Sequence, residues 1–458
     1  MTMPPMKTPI CDFVRAYAAG NTARLHMPGH KGVTHIGCEA LDITEVHGAD
    51  SLWEADGIIR ESEANASALF GAPTFYSTEG SALCIRAMLY LAVLSAHAAG
   101  RQAVIAAGRN AHRTFLSGIA ALDIPLRWLR QEGGTGDSYL SCTVTPEGLD
   151  ASLTAWEAEG EGVPTAVYLT APDYLGCTLP LSDLSAVCHR HGVLLLVDNA
   201  HGAYLRFLTP SRHPMDAGAD LCCDSAHKTL PCLTGGAYLH VSPGAGDLCL
   251  SRAKEALALF GSTSPSYLIL QSLDAVNRIL SDGYPERLRA LCDRVDALKR
   301  TLVTHGWRLV GDEPIKLTLY TRPCGYAGTE LADILRAEGI ECEFADPDFV
   351  VFMMTTDTDE ETLMRLEAAL TAIPRRDALP EGPGLPPEPG PAVMTPKEAL
   401  LAPRETVPLS GAVGRILADM TLSCPPAVPL VVCGERITAG AARALAYYGT
   451  GTVRVVRE

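Results

Sequence analysis

Long apolar runs are missing from this chain of 458 residues. No stretch approaches the roughly 18 uninterrupted apolar residues of a membrane span. The longest candidate, Ala87 to Ala99, carries Tyr90 and His97 and reads as a buried helix. The segment Met1 to Ile10 holds three prolines and no apolar h-region, so no secretory leader is expected there. Basic residues are in deficit: 37 Lys and Arg stand against 53 Asp and Glu, a formal charge of −16. That balance argues against nucleic acid as a partner. Cys-x-x-Cys is absent although the chain has 15 cysteines, and Cys188, Cys222 and Cys223 fall inside apolar segments. Reduced core thiols in a cytoplasmic protein are therefore expected rather than a disulfide framework. There is no P-loop, no His-Glu-x-x-His and no Gly-x-Gly-x-x-Gly in a suitable context. His26 and His30 have the spacing of a helical metal pair, but Pro28-Gly29 between them prevents the helix, and no metal is expected.

What is present is the profile of a globular enzyme, 47% hydrophobic and 20% charged, long enough for two or three domains. The stretch to Thr44 is rich in Pro, Gly and His and reads as an arm. Helical patterns follow from Asp56 to Gly71, a plausible C-cap, and from Ser81 to His97. Strand-like runs at Ala103–Ala106, Thr165–Leu169, Val193–Val197 and Ala237–Val241 then alternate with helices such as Leu181–His191. This alternation predicts an α/β fold with a mainly parallel sheet. A long helical region from Pro265 to His305 leads into a smaller α+β unit with strands at Ile315–Tyr320 and Phe349–Met354 and a helix at Glu330–Glu338. The run Pro374 to Pro396 is too rich in proline and glycine for helix or central strand and reads as a linker. The expected organisation is an arm (1–44), a large domain (45–260), a small α+β domain with its connecting helix (261–373), the linker (374–396) and a C-terminal α+β module (397–458).

Two residues carry the chemistry. Asp198 ends the apolar run Val193–Val197, and Lys228 follows the strand-like Ala219–Cys223. Their separation leaves room for one crossover, so both can converge at the carboxyl edge of a parallel sheet, where ligands of open α/β folds bind. Pyridoxal 5′-phosphate (PLP) requires a lysine for its Schiff base and an acid to keep its pyridine nitrogen protonated. Taken alone, Asp198 reads better as a helix cap, and Lys228 better as an exposed lysine at a strand end. Ser225 to Lys228 also fits a Ser-x-x-Lys pattern, but its companion Ser-Asp-Asn and Lys-Thr-Gly motifs are absent. Ser77-Thr78-Glu79-Gly80-Ser81 precedes a long helix, whose free N–H groups suit a phosphate. Ser225 and His227 lie close enough in sequence to reach the same phosphate. His201 would lie near the cofactor, and His112 is placed to stack on a planar ring or to play a structural part.

These segments together resemble the Orn/Lys/Arg decarboxylase family, PLP enzymes of fold type I. The matching residues are Arg24-Leu25-His26-Met27-Pro28-Gly29-His30-Lys31-Gly32, Asp42-Ile43-Thr44-Glu45 and Gly48-Ala49-Asp50-Ser51-Leu52. Ser77 to Gly80, Asp198-Asn199-Ala200-His201-Gly202 and Ser225 to Pro231 continue the match. So do Thr263 to Tyr267 with Ser272-Leu273-Asp274 and, in the tail, Val413 to Ile416, Pro425 to Leu430 and Gly434-Glu435. The resemblance implies that Lys228 carries the cofactor, Asp198 pairs with its pyridine nitrogen and His112 stacks on its ring. Ser77, Thr78, Glu79, Gly80, Ser225 and His227 are the implied phosphate site, with Thr263 and Ser264 completing a neighbouring subunit's. His201 and His227 join the catalytic candidates.

The chain resembles the family's short form, without the receiver-like wing domain of its larger members. It is expected to be a homodimer or a dimer of dimers with shared active sites. The implied reaction is decarboxylation of arginine, lysine or ornithine to a polyamine-precursor amine. There are departures from the pattern: Tyr76 and Ser81 replace a frequent glycine and asparagine, Arg113 a lysine, and Cys424 and Cys433 a tyrosine and a proline. Glu45, Asp50, Glu54 and Glu435 are the candidate partners for the substrate's distal cation. Rival readings are another fold type I activity, aminotransferase or lyase, and a PLP-binding regulator without turnover; no dedicated carboxylate-clamping arginine stands out for the first.

Overall fold

A computed structural model describes residues 6–129, 131, 138–160, 162–383, 390–420 and 428–457. Cys424, Pro425 to Ala427 of the tail motif and residues 384–389 of the proline-rich run lie outside them. The architecture is α/β with helices between strands. In chain order the strands are β1 (Thr74–Ser77), β2 (Ile105–Ala107), β3 (Leu126–Trp128), β4 (Ala166–Thr170), β5 (Leu194–Asp198), β6 (Leu221–Asp224) and β7 (Ala237–Val241). They continue with β8 (Arg308–Val310), β9 (Lys316–Tyr320), β10 (Phe344–Ala345), β11 (Phe349–Met353), β12 (Arg404–Pro408) and β13 (Thr452–Val456). Two compact units form, residues 1–102 with 188–289 and residues 103–187 with 290–458.

In the first unit the strand order is β1-β7-β6-β5. β5 and β6 pair in parallel, with Asp198 opposite Cys223. β7 runs against both β6 and β1, so it alone breaks the common direction. The helix Ile58–Phe70 stops at Gly71, whose φ of 73° is the left-handed geometry of a C-cap. Gly80–Ala98 is long and apolar enough by length and composition to cross a membrane. It instead buries Leu83, Cys84, Ala87, Met88 and Leu91 and packs on β6 and β7. The expected arm contains a helix, Pro9–Ala19, that buries Ile10, Cys11 and Val14. It packs on the helix Tyr267–Ser281, where the Cys11 amide donates to Asp274 at 2.9 Å. The long helical region is two helices, Tyr267–Ser281 and Tyr284–Thr304, interrupted where Gly283 takes φ 64°.

In the second unit β4, β2 and β3 pair in parallel. A separate antiparallel sheet runs β10-β11-β9-β8, and β12 pairs with β13. The carboxy-terminal segment does not bury its apolar residues among themselves. Leu417, Val428, Leu445 and Val455 share one core with Phe344, Phe349 and Val351 and with Leu140 and Leu175. The described part of the proline-rich run is tied down: the Arg375 guanidinium lies 3.4 Å from the Trp307 ring centroid, and the Val393 amide donates to the Gly434 carbonyl at 3.0 Å.

Candidate active site

Asp198 is 2% exposed at the end of β5, where its Oδ1 accepts from the Ala200 amide at 3.1 Å and faces Cys223 Sγ at 3.6 Å. The neighbouring strand end is fastened to it twice. The Asn199 amide donates to the Cys223 carbonyl at 3.0 Å, and Asn199 Nδ2 donates to Asp224 Oδ1 at 2.6 Å. Lys228 follows on the short helix Ala226–Thr229 and is half-buried. The acid and the lysine are thus carried by the carboxyl ends of adjacent parallel strands.

The hydroxyl turn comes to the same edge. Ser77 and Thr78 are buried; Ser77 Oγ donates to the Gly80 carbonyl at 2.9 Å and accepts from the Glu79 amide at 3.2 Å. Ser225 Oγ donates to Ser81 Oγ at 2.8 Å, and the Gly80 amide donates to the Gly235 carbonyl at 2.8 Å. Gly235 takes φ 99°, and a Cβ there would lie 2.9 Å from the Thr78 carbonyl oxygen, so only glycine fits this close approach. The 19-residue helix beginning at Gly80 directs its first amides out of this turn. His227 Nδ1 donates to the Gly236 carbonyl at 3.0 Å, and burial together with Lys228 lowers its pKa, favouring the neutral ring. The Glu79 carboxylate is exposed and turned onto the Ser262 amide at 2.6 Å, which leaves its backbone for the turn. Thr263 and Ser264 are exposed, and His201 is buried just beyond Asn199. An amine, an acid, neutral hydroxyls and a glycine-shaped cradle form a donor set that fits a phosphorylated pyridine.

His112 belongs to the second unit. It caps the helix Arg113–Leu122, and its Nδ1 accepts from the Thr114 amide at 3.2 Å, which assigns the ring proton to Nε2. Three residues earlier, Arg109 grips Glu435 through two bonds of 2.6 and 3.1 Å. Removing either partner of such a buried pair costs about 3–5 kcal/mol.

Two of the four candidate acids for a substrate cation are already occupied. Asp50 accepts backbone amides of Ser51, Asp56, Gly57 and Ile59 at 2.9–3.1 Å and so caps the helix that follows. Glu435 holds Arg109. Glu45 and Glu54 remain, both exposed in the first unit.

Sequence reasoning gave no role to Gly235 or the Asn199–Asp224 bond. The adjacent glycines Gly235-Gly236 in the sequence are the signal that could have pointed to the close approach. Sequence reasoning also did not single out a fully buried cluster in which His213 Nε2 and His240 Nε2 meet Asp224 Oδ2 at 3.0 and 3.1 Å. His213 Nδ1 accepts from the Met215 amide, which places the proton on Nε2, where a metal would need a lone pair. The cluster is a hydrogen-bonded core.

Residues 8–310 match the family model described as Orn/Lys/Arg decarboxylase, major domain, and residues 389–451 match the one described as Orn/Lys/Arg decarboxylase, C-terminal domain. The chain belongs to the Orn/Lys/Arg decarboxylase family. Within the family it is 28% identical to an arginine decarboxylase of Halalkalibacterium halodurans, over 94% of this chain and 91% of the relative. It is 27% identical to an arginine decarboxylase of Bacillus subtilis, over 94% and 91%. The solved lysine decarboxylase LdcF of Francisella novicida shares the fold with a TM-score of 0.81 at 17% identity, covering 98% of this chain and 81% of that one.

Proposed function

We propose that this protein decarboxylates a basic amino acid, arginine before lysine or ornithine, using pyridoxal 5′-phosphate attached at Lys228. The observation that carries the reading is the joining of three strand ends at one edge: Asp198 and Lys228 through Asn199–Asp224, and Lys228 and the hydroxyl turn through Ser225–Ser81. The arginine decarboxylases among the relatives support arginine as the first choice.

When bound, the pyridine ring takes up the electron pair left as CO2 departs. The chain does the rest. Asp198 holds a proton at the pyridine nitrogen, and its burial keeps water from competing for it. Ser77, Thr78, Ser225 and the first amides of the helix at Gly80 would hold the phosphate. Lys228 Nζ or His227 Nε2 returns a proton to the α-carbon after carboxylate loss. Glu45 or Glu54 receives the distal guanidinium, since Asp50 and Glu435 are engaged.

A homodimer belongs to the same reading. Leu25 and Ile36, 95% and 84% exposed, put apolar surface outside the first unit that a second copy would cover. Incubating the PLP-loaded protein with arginine, lysine and ornithine and identifying products by mass tests the function. Agmatine from arginine is expected; a keto acid instead of an amine would point to transamination and overturn the reading.

A further inference from the structure

Asp224 ends β6 one residue before Ser225, and both of its carboxylate oxygens are taken by side chains from other segments. We infer that Asp224 is a positioning residue: an anchor aimed by His213 and His240 which, through Asn199, fixes where Asp198 stands relative to Lys228. The inference rests on the proposed roles of Asp198 and Lys228, and every residue in it belongs to the first unit.

The Oδ2 atom faces two rings. His213 Nε2 lies 3.0 Å away and His240 Nε2 3.1 Å away, and neither the rings nor the carboxylate have any exposed surface. Because the Met215 amide occupies His213 Nδ1, that ring donates from Nε2. His240 stands on β7 opposite Cys222, and its Nδ1 meets Thr74 Oγ1 on β1 at 2.9 Å. Phe70 packs on both rings, its centroid 5.7 Å from that of His213 and 4.7 Å from that of His240. Burial alone would raise the pKa of Asp224, but the two histidines more than offset it and hold the carboxyl below its ordinary 3.8. The charge stays, and its direction is set by residues with no part in the proposed cofactor site.

The Oδ1 atom passes that order to the neighbouring strand end. Asn199 Nδ2 donates to it at 2.6 Å, a short bond to a charged acceptor, from 25 residues earlier in the chain. The Asn199 side chain is fully buried and lies against Gly202, where a Cβ would collide with its Oδ1. The ladder between β5 and β6 ends at Asp198 opposite Cys223, and the side-chain bond continues the pairing past that rung. Asp198 immediately precedes Asn199. Ser225, whose carbonyl accepts the Lys228 amide at 3.0 Å, immediately follows Asp224. One bond thus joins the two backbones next to the acid and next to the turn that carries the lysine.

The test uses the full-length protein with pyridoxal 5′-phosphate as the probe. Asn199→Ala cuts the tether and leaves Asp224 with both histidines. It is expected to lower kcat on arginine roughly tenfold or more, the scale of a lost hydrogen bond to a charged group, and to displace the visible band of the bound cofactor. KM for arginine should stay within about twofold, because the tether makes no uniform contribution to substrate binding. His213→Leu removes one of the donors that aim the carboxylate and should move kcat and the band in the same direction. His213→Gln, which can still donate an N–H, should recover part of both. Should either loss variant fail to fold, Asn199→Ser and His213→Asn, both too short to reach Asp224, are read in the same way. An unchanged band and kcat in the Asn199 variant would overturn the inference even with a lowered thermal midpoint, leaving a structural core. A loss that the His213 variant does not share would overturn the role of Asp224 as the anchor. Wild-type protein that binds no cofactor would overturn the proposed function along with it, a result distinct from either.

Discussion

Ser225 Oγ donates to Ser81 Oγ across 2.8 Å and fastens the turn before Lys228 to the start of the helix Gly80–Ala98. The bond sets the lysine and the phosphate turn at one distance from each other. Ser225→Ala removes this tether. Cofactor affinity should fall about five- to tenfold, equivalent to roughly 1–1.5 kcal/mol for a hydrogen bond. Equilibrium titration with pyridoxal 5′-phosphate reads this directly, and wild-type affinity in the variant would contradict it.

Asp198→Asn tests the electronic role of the strand-end acid. The amide oxygen still accepts from Ala200, so fold and cofactor binding should survive. The charge proposed to keep the pyridine nitrogen protonated is lost. Turnover should drop by roughly 10²–10³-fold, the scale of removing one preorganised electrostatic group. Steady-state kcat on arginine is the measurement; a loss under tenfold would contradict the role.

The acids near the arm should separate cleanly. Asp50→Ala leaves four backbone amides without their carboxylate and should cost about 1–3 kcal/mol of stability in denaturant unfolding. Glu45→Gln and Glu54→Gln should leave stability within about 0.5 kcal/mol. One of the two should raise KM for arginine about tenfold or more, as expected for losing an ionic contact to substrate. Unchanged KM in both would remove these acids from the substrate site.

A pH effect on stability arises at Asp346 in the second unit. Asp346 Oδ1 accepts the amides of Asp348 and Phe349, while Oδ2 is buried without a hydrogen-bond partner. Burial pushes the carboxyl up from 3.8 to about 7. The unfolded chain releases this proton at the lower value, so between about pH 4 and 7 the folded form holds one proton more. Over that window its contribution to stability falls as pH rises. Asp346→Asn should flatten the slope, checked by the difference in thermal midpoint between pH 5 and pH 7; an unchanged slope would contradict the assignment.

The parts of the site legible in the sequence were those whose cause is local. The apolar run before Asp198 makes a buried strand whatever lies around it, and Gly71 ends its helix because glycine adopts φ 73° without strain. The helix Pro9–Ala19 was not legible, because its buried stripe is packed by Tyr267–Ser281, far along the chain. Glu435 looked as suited to a substrate cation as Glu45 did. Only its meeting with Arg109 separates them, and no periodicity or spacing encodes a contact across 326 residues. The short strand Leu126–Trp128, only half-buried, shows no alternation to read.

The central claim is that Lys228 and Asp198 support release of CO2 from a basic amino acid. Simultaneous measurement of CO2 and amine from arginine, in wild-type protein and in Lys228→Ala, tests it most directly. One CO2 per agmatine in the wild type and loss of both in the variant, together with the visible band of the bound cofactor, is the predicted result. Amine formation that persists in Lys228→Ala, or a wild-type product without CO2, would contradict it.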